Sequence, residues 1–297
     1  MLLDKLMSEP LLKKYPAEIF GYPYNNLTQE AKRIRSEQYC PFLKGECKKP
    51  RKSEPHIKVG LCSVGYKGNH SNKYIPVIIC PYRFELKVVR QKINELYFPN
   101  ISNDSIKWLP EVYLGKTVGY FDYVPTCIET TSQELRIKNF VCVELQAAGT
   151  TGTPWQAFQE HKTHGRFLKD SYDYGINWAN EFAKTMMQQA YKKGLIISQW
   201  KRKLVFIVQD VGLRYLEENY NTEGLHSTTM TSDPIHFCTF EMIWDDTRSV
   251  WTQEFKRRVS TDCDGVGKML GGLSEMDFPT QDKFIDRLSN KIHALNV

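Results

Sequence analysis

Apolar residues recur every three to four positions in several stretches of the chain, a spacing typical of amphipathic helices. Residues 84–98 predict one such helix. Residues 174–194 predict another, which we expect to end at Gly194 because glycine commonly follows a last helical turn. Residues 278–297 predict a third, with Thr280 as its N-cap.

Strand patterns, rich in β-branched and aromatic residues, occupy residues 117–128, 136–147 and 203–216. The first two are expected to pair as a hairpin or as adjacent antiparallel strands, and the third to be buried. The order helix, strands, helix, strand predicts an α/β or α+β fold over residues 86–297, with a mixed sheet flanked by helices.

The first 85 residues are expected to form a separate N-terminal module. Residues 1–35 predict mainly helix: SEPLLKKYP offers an N-cap and first turn, and Thr28 precedes an acidic first turn. Residues 40–85 show little periodicity, and KKPRKSEPHIK is predicted to be an exposed loop. KYIPVIICPYRF predicts a short buried strand that ends at Cys80.

Composition places the chain among soluble globular proteins. Hydrophobic residues make up 41% of its 297 residues, which excludes a disordered chain, and the lack of a long apolar run predicts no membrane span. The N-terminus lacks the continuous apolar region of a signal peptide, so we expect a cytoplasmic protein. The net charge of +6 permits a polyanionic partner without requiring one.

Four of the eight cysteines lie within the first 80 residues. Clustered cysteines in a reducing cytoplasm indicate a metal more often than disulfides, and four thiolates suit tetrahedral zinc or iron. The segment around them has few apolar residues with which to form its own core. Their spacing is not that of paired CxxC motifs, so core cysteines without metal remain the alternative. The prediction is one metal ion at Cys40, Cys47, Cys62 and Cys80.

Glu144 and Gln146 interrupt an apolar run, and because residues two apart in a strand face the same side, both point away from their apolar neighbours. Asp122 lies in the preceding strand pattern. If the two strands pair, the carboxylates of Asp122 and Glu144 come close, and a cation such as Mg²⁺ between them would relieve their repulsion. The alternative is that Glu144 and Gln146 simply face solvent on a half-buried strand.

Both motifs, in this order, resemble the NotI-type family of Type II restriction endonucleases. The resemblance rests on YCPFLKGECKK, GLCSV, IICPYRF, GYFDYV and VCVELQA, and it covers about residues 35–160. This branch of the PD-(D/E)xK superfamily has glutamine in place of the lysine and a four-cysteine metal module before the catalytic core. The resemblance implies a PD-(D/E)xK restriction-endonuclease-like core. It also implies a homodimer that uses Mg²⁺ to cleave both strands of palindromic, GC-rich double-stranded DNA, leaving 5′-phosphate ends.

The resemblance also implies a role for each candidate residue. Asp122 and Glu144 would be the ligands of the catalytic Mg²⁺, and Gln146 would orient the attacking water by hydrogen bonding. Because an amide carries no positive charge, Gln146 cannot lower the pKa of that water electrostatically, and more of the task would fall on the metal. The ligands of a structural iron, with zinc as the alternative, would be Cys40, Cys47, Cys62 and Cys80.

Three basic runs, residues 48–52, 201–203 and 256–258, offer positive charge for DNA phosphates, although each could be an ordinary solvated surface run. Arginine reads guanine through two hydrogen bonds. The candidates for this role are Arg166, Arg248, Arg257 and Arg258. His161 and His164 have no identifiable metal partner and are expected at the surface or on phosphates. A two-fold dimer needs a self-complementary interface, and the helix over 176–193 could supply it or could pack on its own sheet.

The leading interpretation is a Mg²⁺-dependent, site-specific deoxyribonuclease. Two alternatives remain. One is a non-catalytic, metal-stabilised nucleic-acid-binding protein in which Asp122 and Glu144 are structural. The other is a nuclease of the same fold without site specificity, acting in repair or defence.

Overall fold

The structure is a computed structural model. It describes residues 8–51, 54–68, 71–130 and 135–271, with the single positions 281 and 285. The helix predicted over 278–297, with its cap Thr280, otherwise lies outside the described residues.

The N-terminal part is built mainly from short strands. Its elements are β1 (Pro16–Ile19), β2 (Tyr22–Pro23), α1 (Gln29–Ser36), β3 (Tyr39–Cys40), β4 (Gly45–Glu46), β5 (Pro50–Arg51), β6 (Glu54–Lys58), β7 (Leu61–Tyr66) and β8 (Ile75–Ile78). One antiparallel sheet has the order β2–β1–β7–β8, and β3–β4 and β5–β6 form two small ribbons. The strand predicted before Cys80 is therefore confirmed as β8.

The prediction of helix over residues 1–35 is wrong for most of its described part. SEPLLKKYP forms no helix and its last residue, Pro16, begins β1, all four residues of which are buried where it pairs with β2 and β7. Pro10 and Pro16 lack the backbone N–H that a helix uses, and β1 finds its partner in β7, far along the chain. α1 is helical as predicted, and the Thr28 hydroxyl caps it by accepting a hydrogen bond from the Ala31 N–H at 3.3 Å.

The rest of the described chain forms a seven-stranded mixed sheet with helices on both faces. Its elements are α2 (Lys87–Tyr97), β9 (Ile106–Gly115), β10 (Gly119–Thr130), β11 (Leu135–Phe140), β12 (Cys142–Gln146), β13 (Thr150–Gly152), α3 (Trp155–His164), β14 (Tyr174–Ile176), a π-helical segment (Ala179–Met186) that continues into α4 (Met187–Gln199), β15 (Leu204–Gln209), α5 (Asp210–Asn219), β16 (Ile235–Asp245), β17 (Val250–Thr261) and α6 (Cys263–Gly271). The strand order is β11–β10–β12–β15–β16–β17, and β9 also pairs with β10. This mixed architecture agrees with the predicted fold class.

The strand predicted over 136–147 is two strands. β11 pairs with the second half of β10, whereas β12 pairs with β10 through Tyr123 and Val143 and then runs parallel to β15. The predicted antiparallel pairing is thus confirmed. The strand predicted over 203–216 ends at Gln209, where α5 begins.

Helix α4 passes through Gly194 instead of ending there. A Cβ at this position would lie 2.5 Å from Ile235 Cδ1 at the start of β16, so any larger residue here would force the Ile235 side chain to shift, and glycine permits the close approach of helix and strand. The apolar side chains of Met187, Ala190 and Ile197 are buried in the core. This helix therefore packs on its own sheet, one of the two possibilities left open by the sequence.

The side chain of Gln209 connects β8 to the carboxyl end of β15. Its amide oxygen accepts a hydrogen bond from the Ile78 N–H at 2.8 Å, and its Nε2 donates to the Pro76 carbonyl at 2.7 Å. The Ala148 N–H, two residues beyond β12, donates to the Ile78 carbonyl at 2.9 Å. β8 is thus attached to the ends of two central strands of the large sheet.

A buried ion pair makes a second connection between the two sheets. Arg83, which follows β8, donates from Nε to Glu18 of β1 at 2.9 Å, and both side chains are almost fully buried. Arg83 also donates to the Trp251 carbonyl of β17 at 2.8 Å, and the Ser63 hydroxyl donates to Glu18 at 2.8 Å. The pair therefore holds together β1, β7 and β17.

We expect Arg83→Met to lower the free energy of unfolding by about 3–5 kcal/mol, because it leaves Glu18 buried without its counter-charge. Urea denaturation measures the change. Arg33→Met is the control, since Arg33 pairs with Glu30 and Glu37 on the exposed surface of α1 and should matter much less. Equal losses in the two variants would show that the buried pair has no special role.

Candidate active site

Asp122 and Glu144 lie beside each other on antiparallel strands. Tyr123 of β10 pairs with Val143 of β12, and continuing this register by one residue sets Asp122 opposite Glu144. Opposite residues of an antiparallel pair point to the same face of the sheet. The Asp122 carboxylate also accepts a hydrogen bond from the Leu145 N–H of β12 at 2.8 Å. The two acidic residues singled out from the sequence therefore share one site.

Glu144 contacts a lysine that the sequence analysis did not identify. Lys193 of α4 donates from Nζ to Glu144 Oε1 at 2.5 Å and to the Tyr120 carbonyl of β10 at 2.8 Å. The Lys193 and Glu144 side chains are only 6% and 7% exposed. Lys193 follows Met186 and Ala190 at helical spacing, so a lysine on the apolar face of an amphipathic helix was the available sequence indication.

The electrostatics of the site favour a cation. Burial raises the pKa of Glu144 to about 7; Lys193 opposes this shift, and the charge of Asp122 adds to it. Burial also raises the pKa of Asp122, against the influence of the Leu145 N–H and of Lys193. Asp122 nevertheless reaches solvent, so the pair is accessible from that side. Two neighbouring carboxylates with one lysine bound to Glu144 carry an excess of negative charge, which a divalent ion would neutralise.

Gln146 is buried two residues beyond Glu144 on the same strand. Its Nε2 donates to the Ala147 carbonyl at 3.0 Å. An amide has one acceptor oxygen and two N–H donors, so the other groups can still meet a water.

The four cysteines surround one small cavity. Its volume is about 10 Å³, which is room for one atom the size of a water oxygen. All four thiols are buried. Cys40 lies in β3, Cys47 directly follows β4, Cys62 lies in β7, and Cys80 follows β8.

Burial disfavours the thiolate form of these cysteines and raises the pKa of Cys62 most strongly, while a few neighbouring groups act against this effect at Cys40 and Cys80. Burial raises the pKa of Cys40, and the backbone N–H groups of Leu43 and Phe42 act against that rise. Burial likewise raises the pKa of Cys80 to about 11, while Lys49 and a backbone N–H lower it. As they are placed, however, no three His, Cys, Asp or Glu side chains among the described residues could hold a metal ion. To bind one, the thiols would have to turn toward the cavity.

The four arginines proposed to read guanine are placed very differently. Arg257 donates to Glu217 at 2.7 Å and to Asp210 at 2.8 Å, so carboxylates occupy its guanidinium and it is withdrawn as a base-reading candidate. Arg248 pairs with Asp245 on the surface. Arg166 is exposed, and Arg258 lines a separate pocket.

The expectation for His161 is wrong. This residue is buried, and its Nε2 donates to the Tyr24 carbonyl at 2.7 Å, so it joins α3 to the N-terminal part and does not face DNA. The sequence missed this because the QEHKTHGR segment is polar, yet its helix buries Ala157, Phe158 and His161 on one side. His164 is exposed, as expected.

A family model described as "Restriction endonuclease NotI" matches residues 25–219, which is more than half of the chain. The chain belongs to the NotI restriction endonuclease family. The matched region contains both carboxylates, Gln146, Lys193 and all four clustered cysteines. Membership makes this NotI-family protein a Type II restriction endonuclease, a nuclease whose substrate is DNA. A comparison with curated proteins found no match. No helix within the described part of the chain is long and apolar enough to cross a membrane.

Proposed function

We propose that this NotI-family endonuclease cleaves both strands of duplex DNA at a palindromic, GC-rich site and leaves 5′-phosphate ends. Cleavage depends on Mg²⁺ held by Asp122 and Glu144. The observation that carries this proposal is the placement of the two carboxylates on one face of neighbouring strands. Mg²⁺ takes few protein ligands and keeps several waters, so two carboxylates suffice for it.

A PD-(D/E)xK core is the proposed fold assignment. It is supported by a mixed sheet with helices on both faces and by acidic residues on two adjacent strands of that sheet. The proposed division of the chain stays at residues 1–85 for the metal module and 86–297 for the nuclease core.

Bound magnesium would polarise a phosphate oxygen and lower the pKa of a coordinated water. Asp122 and Glu144 position the ion. Lys193 contacts Glu144 Oε1, which leaves the other carboxylate oxygen available to the ion. Gln146 orients the water through its amide. Lys193 carries the positive charge that Gln146 lacks; it favours the ionised form of the buried Glu144 against the effect of burial, and it fixes the direction of that carboxylate.

The structural metal is proposed at the four-cysteine cavity, as iron or alternatively zinc. Four thiols around a cavity with room for one ion support such a centre, provided that the thiols turn toward the cavity, and cytoplasmic conditions would keep them reduced. Cleavage of both strands of a palindrome further implies a two-fold homodimer. We do not assign the interface to the apolar face of α4, because that face is buried within the chain.

Protein purified without chelators is expected to contain about one equivalent of iron or zinc per chain, as measured by elemental analysis. Cys62→Ser should lose most of it. Cys238→Ser is the matched control, since Cys238 is equally buried but lies in β16 among apolar residues. Less than about half an equivalent in the parental protein would reject the metal site.

Incubation of long DNA with the protein and Mg²⁺ tests the activity itself. Discrete bands are the expected result, and sequencing of their ends gives the site. A smear would indicate a nuclease without site specificity. No cutting by folded, metal-loaded protein would indicate a non-catalytic DNA-binding protein.

A further inference from the structure

A pocket of about 380 Å³ at the amino end of β15 collects positively charged side chains. Lys201, Arg202 and Lys203 line it from the loop before β15, and Arg258 lines it from β17. In the part of the chain that the structure describes, none of these four residues forms a salt bridge with a carboxylate. The pocket therefore concentrates charge that the protein itself leaves unneutralised.

Neutral groups hold Arg202 in place at the rim of this pocket. Its Nη1 donates to Asn139 Oδ1 at 2.7 Å, and its guanidinium lies 5.0 Å from the centre of the Phe140 ring. An arginine oriented by an amide and an aromatic ring keeps its full charge and its remaining N–H donors.

Arg258 and Lys203 are held in the same manner. Arg258 Nε donates to the Thr229 hydroxyl at 3.1 Å, and its guanidinium lies 5.6 Å from the Tyr97 ring. Lys203 Nζ donates to the carbonyls of Thr231 and Asp233 at 2.5 and 2.6 Å. These cations are thus fixed before any ligand arrives, which reduces the entropy lost on binding.

His236, which also lines the pocket, responds to this concentration of charge. Burial, together with the charges of Lys203 and Arg258, lowers its pKa to about 4. The one carboxylate that acts in the opposite direction, Asp233, already accepts hydrogen bonds from the Ser260 hydroxyl at 2.6 Å and from His226 Nδ1 at 2.7 Å. The potential in the pocket is therefore positive, as an anion site requires.

We propose that this pocket binds a phosphate group of duplex DNA outside the scissile position. This inference rests on the proposed function, because it takes DNA as the ligand. Val141 lines the pocket and stands three residues before Glu144, so the two lie no more than about 11 Å apart along the backbone, with Val141 on the α2 side of the sheet and Glu144 on the α4 side. Duplex DNA carries a charge about every 1.7 Å of its axis, so phosphates near the cut fall within that range. Arginine pairs with phosphate through two parallel hydrogen bonds.

The test is the salt dependence of binding to a 30-base-pair duplex without Mg²⁺. A plot of log affinity against log salt concentration has a negative slope. Lys201→Gln and Arg258→Gln should each make that slope shallower by about one, for any DNA sequence. Lys201 is exposed, so its variant keeps the fold even if Arg258→Gln does not. Lys138→Gln is the control: it removes the same charge from neighbouring β11, but Lys138 is paired with Glu129 at 2.7 Å. Its slope should not change.

A second arm uses inorganic phosphate and thermal unfolding to identify the source of the phosphate group. Unchanged slopes in the two pocket variants overturn the DNA assignment. If phosphate still raises the Tm of the parental protein but not of Lys201→Gln, the pocket takes a small phosphate-bearing ligand in place of DNA. If the slopes are unchanged and inorganic phosphate does not raise the Tm of the parental protein, the pocket binds no phosphate. A parental protein that binds no duplex at all would instead refute the proposed function, and this inference with it.

Discussion

Glu144→Gln is expected to slow DNA cleavage at least about a thousandfold, with little effect on DNA binding in the absence of Mg²⁺. The amide has nearly the same shape as the carboxylate and can still accept the hydrogen bond from Lys193, but it carries no charge with which to hold the metal ion. Charge stabilisation by such an ion amounts to several kcal/mol, and each 1.4 kcal/mol corresponds to a tenfold change in rate. Single-turnover cleavage in Mg²⁺ and gel-shift binding without it measure the two effects.

Glu241→Gln is the control for this variant. Glu241 is a partly buried carboxylate of β16 that also pairs with basic residues, Arg214 and Lys256, so its replacement removes the same charge from another part of the sheet. Glu144→Ala should likewise abolish cleavage, but it also leaves the buried Lys193 without its partner. A folded Glu144 variant that cuts DNA at the parental rate would show that the metal is not held here.

Lys193→Met should reduce cleavage about a hundredfold or more, the usual effect of removing one oriented charge from an active site. Without Lys193, Glu144 loses both its counter-charge and a fixed direction, so more Mg²⁺ should be needed for half-maximal cleavage. Lys193→Arg preserves the charge and should retain more activity than Lys193→Met. The measurements are the cleavage rate and its dependence on Mg²⁺ concentration.

Lys192→Met provides a close control, because Lys192 is the next residue on the same helix but is exposed. A purely structural role for Lys193 would lower the Tm without changing the Mg²⁺ requirement. If both methionine variants cleave DNA equally well, Lys193 does not assist Glu144.

The juxtaposition of the proposed catalytic pair was predictable because its geometry follows from local rules. Strand periodicity places Glu144 away from its apolar neighbours, and pairing with the preceding strand brings in Asp122. Helix α2 was predictable for the same reason, since its apolar stripe is local. Lys193 comes from a helix some fifty residues later, and which turn of that helix lies over Glu144 depends on packing.

The misjudged elements depend on contacts between distant segments. β1 is a strand because β7 lies beside it, and its own sequence has no strand alternation. Gly194 resembles a helix stop, yet a close approach to Ile235 explains it. From the sequence alone Arg257 is a candidate for reading bases, but in the structure Asp210 and Glu217 accept hydrogen bonds from its guanidinium. Helix and strand propensities and the pattern of charges along the sequence do not identify these distant partners.

The attachment of β8 through Gln209 and Ala148 means that the two proposed metal centres would not be independent. Ile78, which takes part in both attachments, stands only two residues before Cys80, and the strands it braces are those that carry and flank Glu144. Removing the proposed iron or zinc from the thiols would therefore loosen the carboxyl ends of β12 and β15 in the centre of the large sheet. A chelator that removes the proposed structural metal would therefore lower the cleavage activity even in excess magnesium, although that metal does not contact the DNA.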